Sequence, residues 1–203
     1  MKRNTVVMGV VLLILAVFAW AGWANYESRK QAAERRLAEM VSKGEVAPAG
    51  DPQGTLAPLI GKPAPQFSLP SLTDATRTVS SGALRGRWYL LNVWGSWCGT
   101  CREEHGMLLQ VRQSGLVPLI GLDWKDDDAQ ALGYLQQGGN PYQEVAADRT
   151  GRVAIDWGVY AAPESFLVNP EGIVVYKCMG ELTPEIWQKE IVPRLTKAQA
   201  SAS

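Results

Sequence analysis

The sequence predicts an α/β fold whose central strand delivers a pair of cysteines to the start of a helix. Three observations carry that prediction. The apolar run Trp88–Val93 reads as a buried strand, and a Trp/Gly/Ser turn leads from it into Cys98-Gly99-Thr100-Cys101, where helical character begins. A second apolar run, Val117–Leu122, follows that helix, and a strand-helix-strand crossover of this kind is right-handed and places its strands in parallel. Further on, Ser165–Val168 and Ile173–Tyr176 flank Asn169-Pro170-Glu171-Gly172, a strong hairpin signal that adds antiparallel strands.

The remaining elements follow in chain order. Lys2 and Arg3 precede an uncharged apolar stretch, Val6–Ala24, whose nineteen residues at about 1.5 Å each reach roughly 28 Å, enough to cross a hydrocarbon core. Trp20, Trp23 and Tyr26 at its far end suit an interfacial belt. Residues 1–26 therefore read as a membrane anchor. A cleavable signal peptide is the rival, but its cleavage site, Ala19-Trp20-Ala21, is poor and apolar character continues past it. Basic residues lie on both sides of the stretch, so charge does not orient it. Residues 27–58 read as a polar, helix-prone stalk and a Gly/Pro/Ala-rich linker, 59–197 as the globular domain and 198–203 as a disordered tail. Within the domain, Phe67–Leu69 and Thr78–Ser80 are short strands around a turn. The cysteine helix runs to about Ser114 and stops at Gly115. Ala129–Gln137 is an amphipathic helix, and Lys125-Asp126-Asp127-Asp128 before it reads as helix N-terminal acids rather than a metal site. Val145–Ala147 is a short strand, Thr150–Trp157 a short helix, and Pro184–Leu195 the last helix, with Thr183 as its cap.

Composition narrows the function classes. The chain has 203 residues and zero formal net charge, so nothing marks it as a nucleic-acid binder. Three cysteines are too few for a disulfide scaffold. Zinc would need more soft ligands than Cys178 and His105 supply, a c-type haem site would need His where Arg102 stands, and a disulfide spanning three residues stabilises little. Redox catalysis remains. Residues i and i+3 share a helix face, and free N–H groups at a helix N-terminus stabilise a thiolate. Cys98 is thus the candidate nucleophile and Cys101 the resolving thiol. No metal and no cofactor beyond this redox-active pair is expected.

The chain resembles the thioredoxin superfamily, and more closely the membrane-anchored thiol:disulfide interchange proteins of cytochrome c maturation, the DsbE/CcmG type. The stretches that carry the resemblance are Gly61–Pro70, Leu91–His105, Lys125-Asp126-Asp127, Gly139-Asn140-Pro141-Tyr142 and Gly158–Val168. Ala161 stands where the family usually has glycine, and Cys178 where no cysteine is expected. The lead-in Gly61–Pro70 is also similar to that of peroxiredoxins, but the peroxidatic pattern before Cys98 is absent. The resemblance implies a thioredoxin-like three-layer sandwich with an N-terminal β-hairpin extension, a central helix-strand insertion and a transmembrane helix in front. It implies a bacterial inner-membrane protein with its catalytic domain in the periplasm. The partners it implies are apocytochrome c, or a thiol-bearing maturation partner, and a membrane thiol reductase as electron donor. A general disulfide oxidant or isomerase, and a non-catalytic apocytochrome-binding module, are the alternatives.

The same resemblance assigns site residues. Pro163 occupies the position of the superfamily's cis-proline, where Ala162 offers its backbone to an extended substrate. Glu104 and Glu164 match the acids near the family's active site. Either could take a proton from a thiol or raise its pKa. Asn92 stands where thioredoxins proper have a buried Asp; it cannot titrate, which leaves proton transfer to those acids. Trp97 either shields Cys98 and contacts substrate or belongs to the core. His105 reads as a packing residue, and Cys178, alternating with Val174 and Tyr176 opposite Lys177, as a shielded thiol on a half-buried strand.

Overall fold

The computed structural model describes residues 59–202, with side chains described to residue 197. The expected anchor, stalk and linker lie outside the described residues. Among the described residues no helix is long and apolar enough to cross a membrane.

Among the described residues the hydrophobic alternation resolves into seven strands. β1 (Ser68–Pro70) and β2 (Thr78–Ser80) form an antiparallel hairpin. β3 (Tyr89–Trp94), β4 (Leu119–Trp124), β5 (Glu144–Asp148), β6 (Glu164–Val168) and β7 (Val174–Met179) form one sheet in the order β5-β4-β3-β6-β7. β3, β4 and β5 are parallel, while β6 and β7 run antiparallel, as a crossover followed by a hairpin requires. The β1–β2 hairpin continues onto the β5 edge through the Ser71–Ala146 bridge and the Leu72 N–H bond to Val145 O, 2.9 Å. That covers an edge otherwise open to pairing with other chains.

β3 is buried along its whole length, so its two faces feed two cores. Leu90 and Trp94 face one core with the cysteines; Tyr89, Leu91 and Val93 face the other. Helix α1 (Gly99–Ser114) lies over the cysteine face with Met107, Leu108 and Val111 buried. It ends at Gly115, whose φ of 62° is the left-handed stop that glycine accepts at little cost. Helix α2 (Asp128–Gly138) adds Ala131 and Leu135 to the same core, and the C-terminal segment adds Leu182, Trp187, Ile191 and Leu195. The opposite core is closed by the hairpin side, through Phe67, Val79 and Leu84, and by the short helix α3 (Arg152–Asp156) with Val153 and Ala154.

Several local readings change. Asp127 caps α2, its Oδ1 accepting the N–H groups of Ala129 and Gln130, and Asp128 pairs with Arg149 at 2.5 Å; Asp126 leaves the helix for another partner. The last helix is not uniform. It opens as α4 (Pro184–Ile186) on the Thr183 cap, passes through a π segment (Trp187–Ile191) and continues as α5 (Val192–Ala202), past the end expected near Leu195 and into the tail expected to be disordered. The widened turn places Trp187 and Ile191 in the core together. Strand β7 is buried on both faces rather than one: Lys177, opposite Cys178, is 2% exposed.

Candidate active site

The site forms where β3 ends. Gly95 begins the turn, and a side chain there would collide with the Trp97 ring, 2.5 Å from the Cβ position. Absence of a side chain lets Trp97 fold back so that its Nε1–H donates to Trp124 O, 3.1 Å away. Trp97 is 52% exposed, which removes it from the core and leaves its ring at the surface next to Cys98 in the chain. Cys98 is the N-cap of α1, and its Sγ accepts the Cys101 N–H at 3.1 Å. The first sulfur therefore takes a hydrogen bond from the free end of the helix, an arrangement that favours a thiolate. The two sulfurs form a disulfide of 2.03 Å. Both cysteines are nearly buried, so position on the helix, not exposure, distinguishes them.

Across from the disulfide, the Ala162–Pro163 peptide bond is cis, and Cys98 Sγ lies 3.5 Å from Ala162 O. Beneath it is a buried polar row that sequence reasoning did not assemble. Asn92 and Ser165 pair across β3 and β6, and Ser165 pairs with Cys178 across β6 and β7. Asn92 Nδ2 donates to Glu104 Oε1 at 2.9 Å and to Ser165 Oγ at 3.0 Å, while Tyr142 Oη donates to Asn92 Oδ1 at 2.7 Å. The Leu182 N–H, 2.8 Å away, donates to Glu104 Oε2. Glu104, one helical turn past Cys101, is thus fully buried, with both oxygens oriented. Burial pushes its carboxyl up to about 7, against the pull of its two hydrogen bonds.

Of the two expected acids, the structure brings only Glu104 to the dithiol side. Glu164 pairs with Val93 in register, on the other face of the sheet, and its Oε2 meets Lys177 Nζ at 2.7 Å. Its Oε1 accepts the N–H groups of Tyr160 and Ala161, and Lys177 Nζ donates to Gly158 O at 2.9 Å. This buried ion pair fastens the loop that carries Ala162 and Pro163. No sequence pattern announced it, because strand alternation reports which face a residue takes and not whether that face is covered.

His105 is a packing residue: Nε2 lies 3.1 and 3.0 Å from Gly138 O and Gly139 O, and Nδ1 is 2.9 Å from Tyr134 Oη. Two carbonyls at Nε2 make it the donor and leave Nδ1 to accept the phenol. Cys178 is free and buried, its thiol directed at Glu181 O, 3.7 Å, and Gly180 O, 3.8 Å; burial, with the nearby Glu104 charge, pushes it up to about 12.

The redoxin family model matches residues 59–192, the stretch that carries both cysteines and the cis-proline. The chain belongs to the redoxin family. This redoxin is 43% identical over 149 residues to the thiol:disulfide interchange protein DsbE of Allochromatium vinosum, covering 73% of this chain and 82% of that protein. It is 40% identical over 158 residues to DsbE of Escherichia coli K12, covering 77% and 85%. Among solved structures, a candidate DsbE from Chlorobium tepidum superposes with a TM-score of 0.56 at 27% identity, over 68% of this chain and 96% of that one. The redoxin is accordingly a thiol:disulfide interchange protein, a disulfide oxidoreductase. In that chemistry a dithiol passes two electrons to a disulfide: one thiolate attacks a substrate sulfur and expels the other as thiolate, and the second thiol then displaces the substrate and closes the disulfide. Here the closed pair is Cys98–Cys101.

Proposed function

We propose that this redoxin is the reductant of cytochrome c maturation, reducing a disulfide of apocytochrome c, or of a thiol-bearing maturation partner, through Cys98 and Cys101. The observation that carries the reading is the buried Glu104 one turn from Cys101, held by Asn92 and the Leu182 N–H in a chain about 40% identical to DsbE proteins. An acid poised near neutrality can take the Cys101 proton as that thiol displaces the substrate. Cys98 attacks first, the backbone of Ala162 receives the extended substrate, Trp97 covers one side of the mixed disulfide, and a membrane thiol reductase restores the dithiol. The reaction needs no cofactor beyond the cysteine pair itself.

The apolar segment Val6–Ala24 supports placing the chain in the inner membrane as a single-pass protein with its domain in the periplasm. Protease treatment of spheroplasts should degrade the domain, and protection would place it in the cytoplasm. For the reaction, the full chain with Cys101→Ser should trap a mixed disulfide through Cys98 with an oxidised Cys-x-x-Cys-His peptide. The wild-type pair should have a potential well below that of a general oxidant, nearer to about −200 mV or lower than to about −120 mV. A high potential with no trapping of the peptide would replace this reading with a general oxidant.

A further inference from the structure

The turn between β3 and α1 is gripped from below by an acid that the dithiol chemistry above does not use. Asp126 accepts two hydrogen bonds from Ser96: the backbone N–H at Oδ2, and the hydroxyl at Oδ1, 2.9 Å. The Asp127 N–H, 2.8 Å away, also donates to Oδ1. From α1, Arg102 Nη2 donates to Ser96 O at 2.6 Å, so both sides of the Ser96 peptide are held just before Trp97 and Cys98. Asp123, at the end of β4 and paired in register with Trp94 and Ala147, is 1% exposed. Its Oδ1 has no donor, yet its carboxyl lies within hydrogen-bonding reach of Asp126. A buried carboxylate that faces a second one is driven to hold a proton, because burial and the neighbouring negative charge both disfavour its ionised form. A proton on Asp123 removes the repulsion and gives Asp126 a donor, which accounts for the orphan oxygen.

We propose that Asp126 is a positioning residue for Cys98, fixing the Ser96 turn, and that Asp123 locks it in place by donating a shared proton. Surrounding charges agree with this assignment. Burial and the neighbouring Asp126 and Asp128 push the Asp123 carboxyl up to about 8, with Arg149 on the far side of Asp128 opposing them. Tyr142 also faces Asp123 and is itself held neutral by burial. Arg102 is the one cation on α1 that reaches the turn, and it binds the Ser96 carbonyl rather than either acid. Loss of the Asp123 proton leaves two like charges in contact. Asp126, half-buried, then turns towards water and releases Ser96.

The inference rests on Cys98 chemistry but not on any physiological partner, so its test uses the oxidised full chain, in which Cys98 and Cys101 do not titrate. In nuclear magnetic resonance spectra of that protein, the Ser96 amide should shift with a midpoint near pH 8. Asp123→Asn keeps a donor towards Asp126 but cannot ionise, and it should abolish that midpoint. With the reduced protein, Asp126→Ala and Asp126→Asn both remove the charge, but only Asn keeps an acceptor for Ser96. Asp126→Ala should therefore react about fivefold more slowly than Asp126→Asn with a small aromatic disulfide, the value of one hydrogen bond. A Ser96 midpoint that persists in Asp123→Asn, or equal rates for the two Asp126 variants, would overturn the proposal while leaving the maturation reading untouched.

Discussion

Glu104 and Cys178 show how single side chains take their chemistry from the space around them. Both lie on the face of the sheet that holds the dithiol, and both are pushed upward by burial, Glu104 from 4.5 to about 7 and Cys178 from 9.0 to about 12. For Glu104 the folded value exceeds the unfolded one. Its contribution to stability is full below about pH 4.5, where both states hold the proton. It is lost as pH rises through the folded value, because the unfolded chain ionises first. Urea unfolding of the oxidised wild type, referenced to Glu104→Gln, should therefore lose about 3 kcal/mol between roughly pH 4.5 and 7 and level off above. A pH-independent difference would mean that folding does not raise the Glu104 carboxyl above its unfolded value. The same substitution should slow closure of the Cys98–Cys101 disulfide from a mixed disulfide by about 10²-fold, measured by rapid acid quench at pH 7. Cys178 should be inert. Its thiol should resist alkylation in the native oxidised chain and label once per chain after denaturation, and Cys178→Ala should leave disulfide exchange within about twofold of wild type. Fast native labelling would make it a third working thiol.

At the level of elements, β7 supplies the loop before the cis-proline with its anchor. Lys177 and Glu164 are 2% and 4% exposed by side chain, and between them they bind Gly158 O and the Tyr160 and Ala161 N–H groups. Lys177→Met leaves the Glu164 charge buried without its partner and should cost about 3–5 kcal/mol in denaturant unfolding. Adding Glu164→Gln to Lys177→Met should restore much of that loss, since replacing both charges removes the uncompensated one. Additive losses from the two changes would mean that the pair is not coupled. Glu164→Gln alone should leave the pH profile of Cys98 reactivity unmoved, since its carboxylate lies across the sheet from the thiols. β4 contributes through what it lacks. A Cβ at Gly121 would sit 2.8 Å from Trp94 Nε1 and 3.0 Å from the Tyr142 ring, so the strand leaves room for the stacked Trp94–Tyr142 pair that carries the phenol to Asn92.

At the scale of the whole molecule, the described residues, from 59 onward, supply two cores and a covered sheet edge. A chain of residues 59–203 should fold cooperatively and catalyse thiol–disulfide exchange at a rate close to that of the full chain. Loss of the cooperative transition, or of exchange, on removing residues 1–58 would show that the preceding segment completes the domain.

The sequence by itself determined the α/β order, the strand that ends at the cysteines, the start and stop of α1 and the hairpin after Val168, because each is a local matter of periodicity and turn chemistry. It also placed Cys98 and Cys101, since a spacing of three on a helix is their geometry. Tertiary structure decided the rest. Glu104 and Glu164 are equivalent in the sequence, both acids beside a motif residue; only the packing of α1 against Asn92 and Leu182 buries one at the dithiol, and only the cover over β7 gives the other to Lys177. Asp126 reads as one more helix-capping acid until the turn after β3 folds down on it. Alternation along a strand says which way a side chain points, but whether water or protein waits there, and so whether a charge is solvated, paired or protonated, depends on residues far away in the chain.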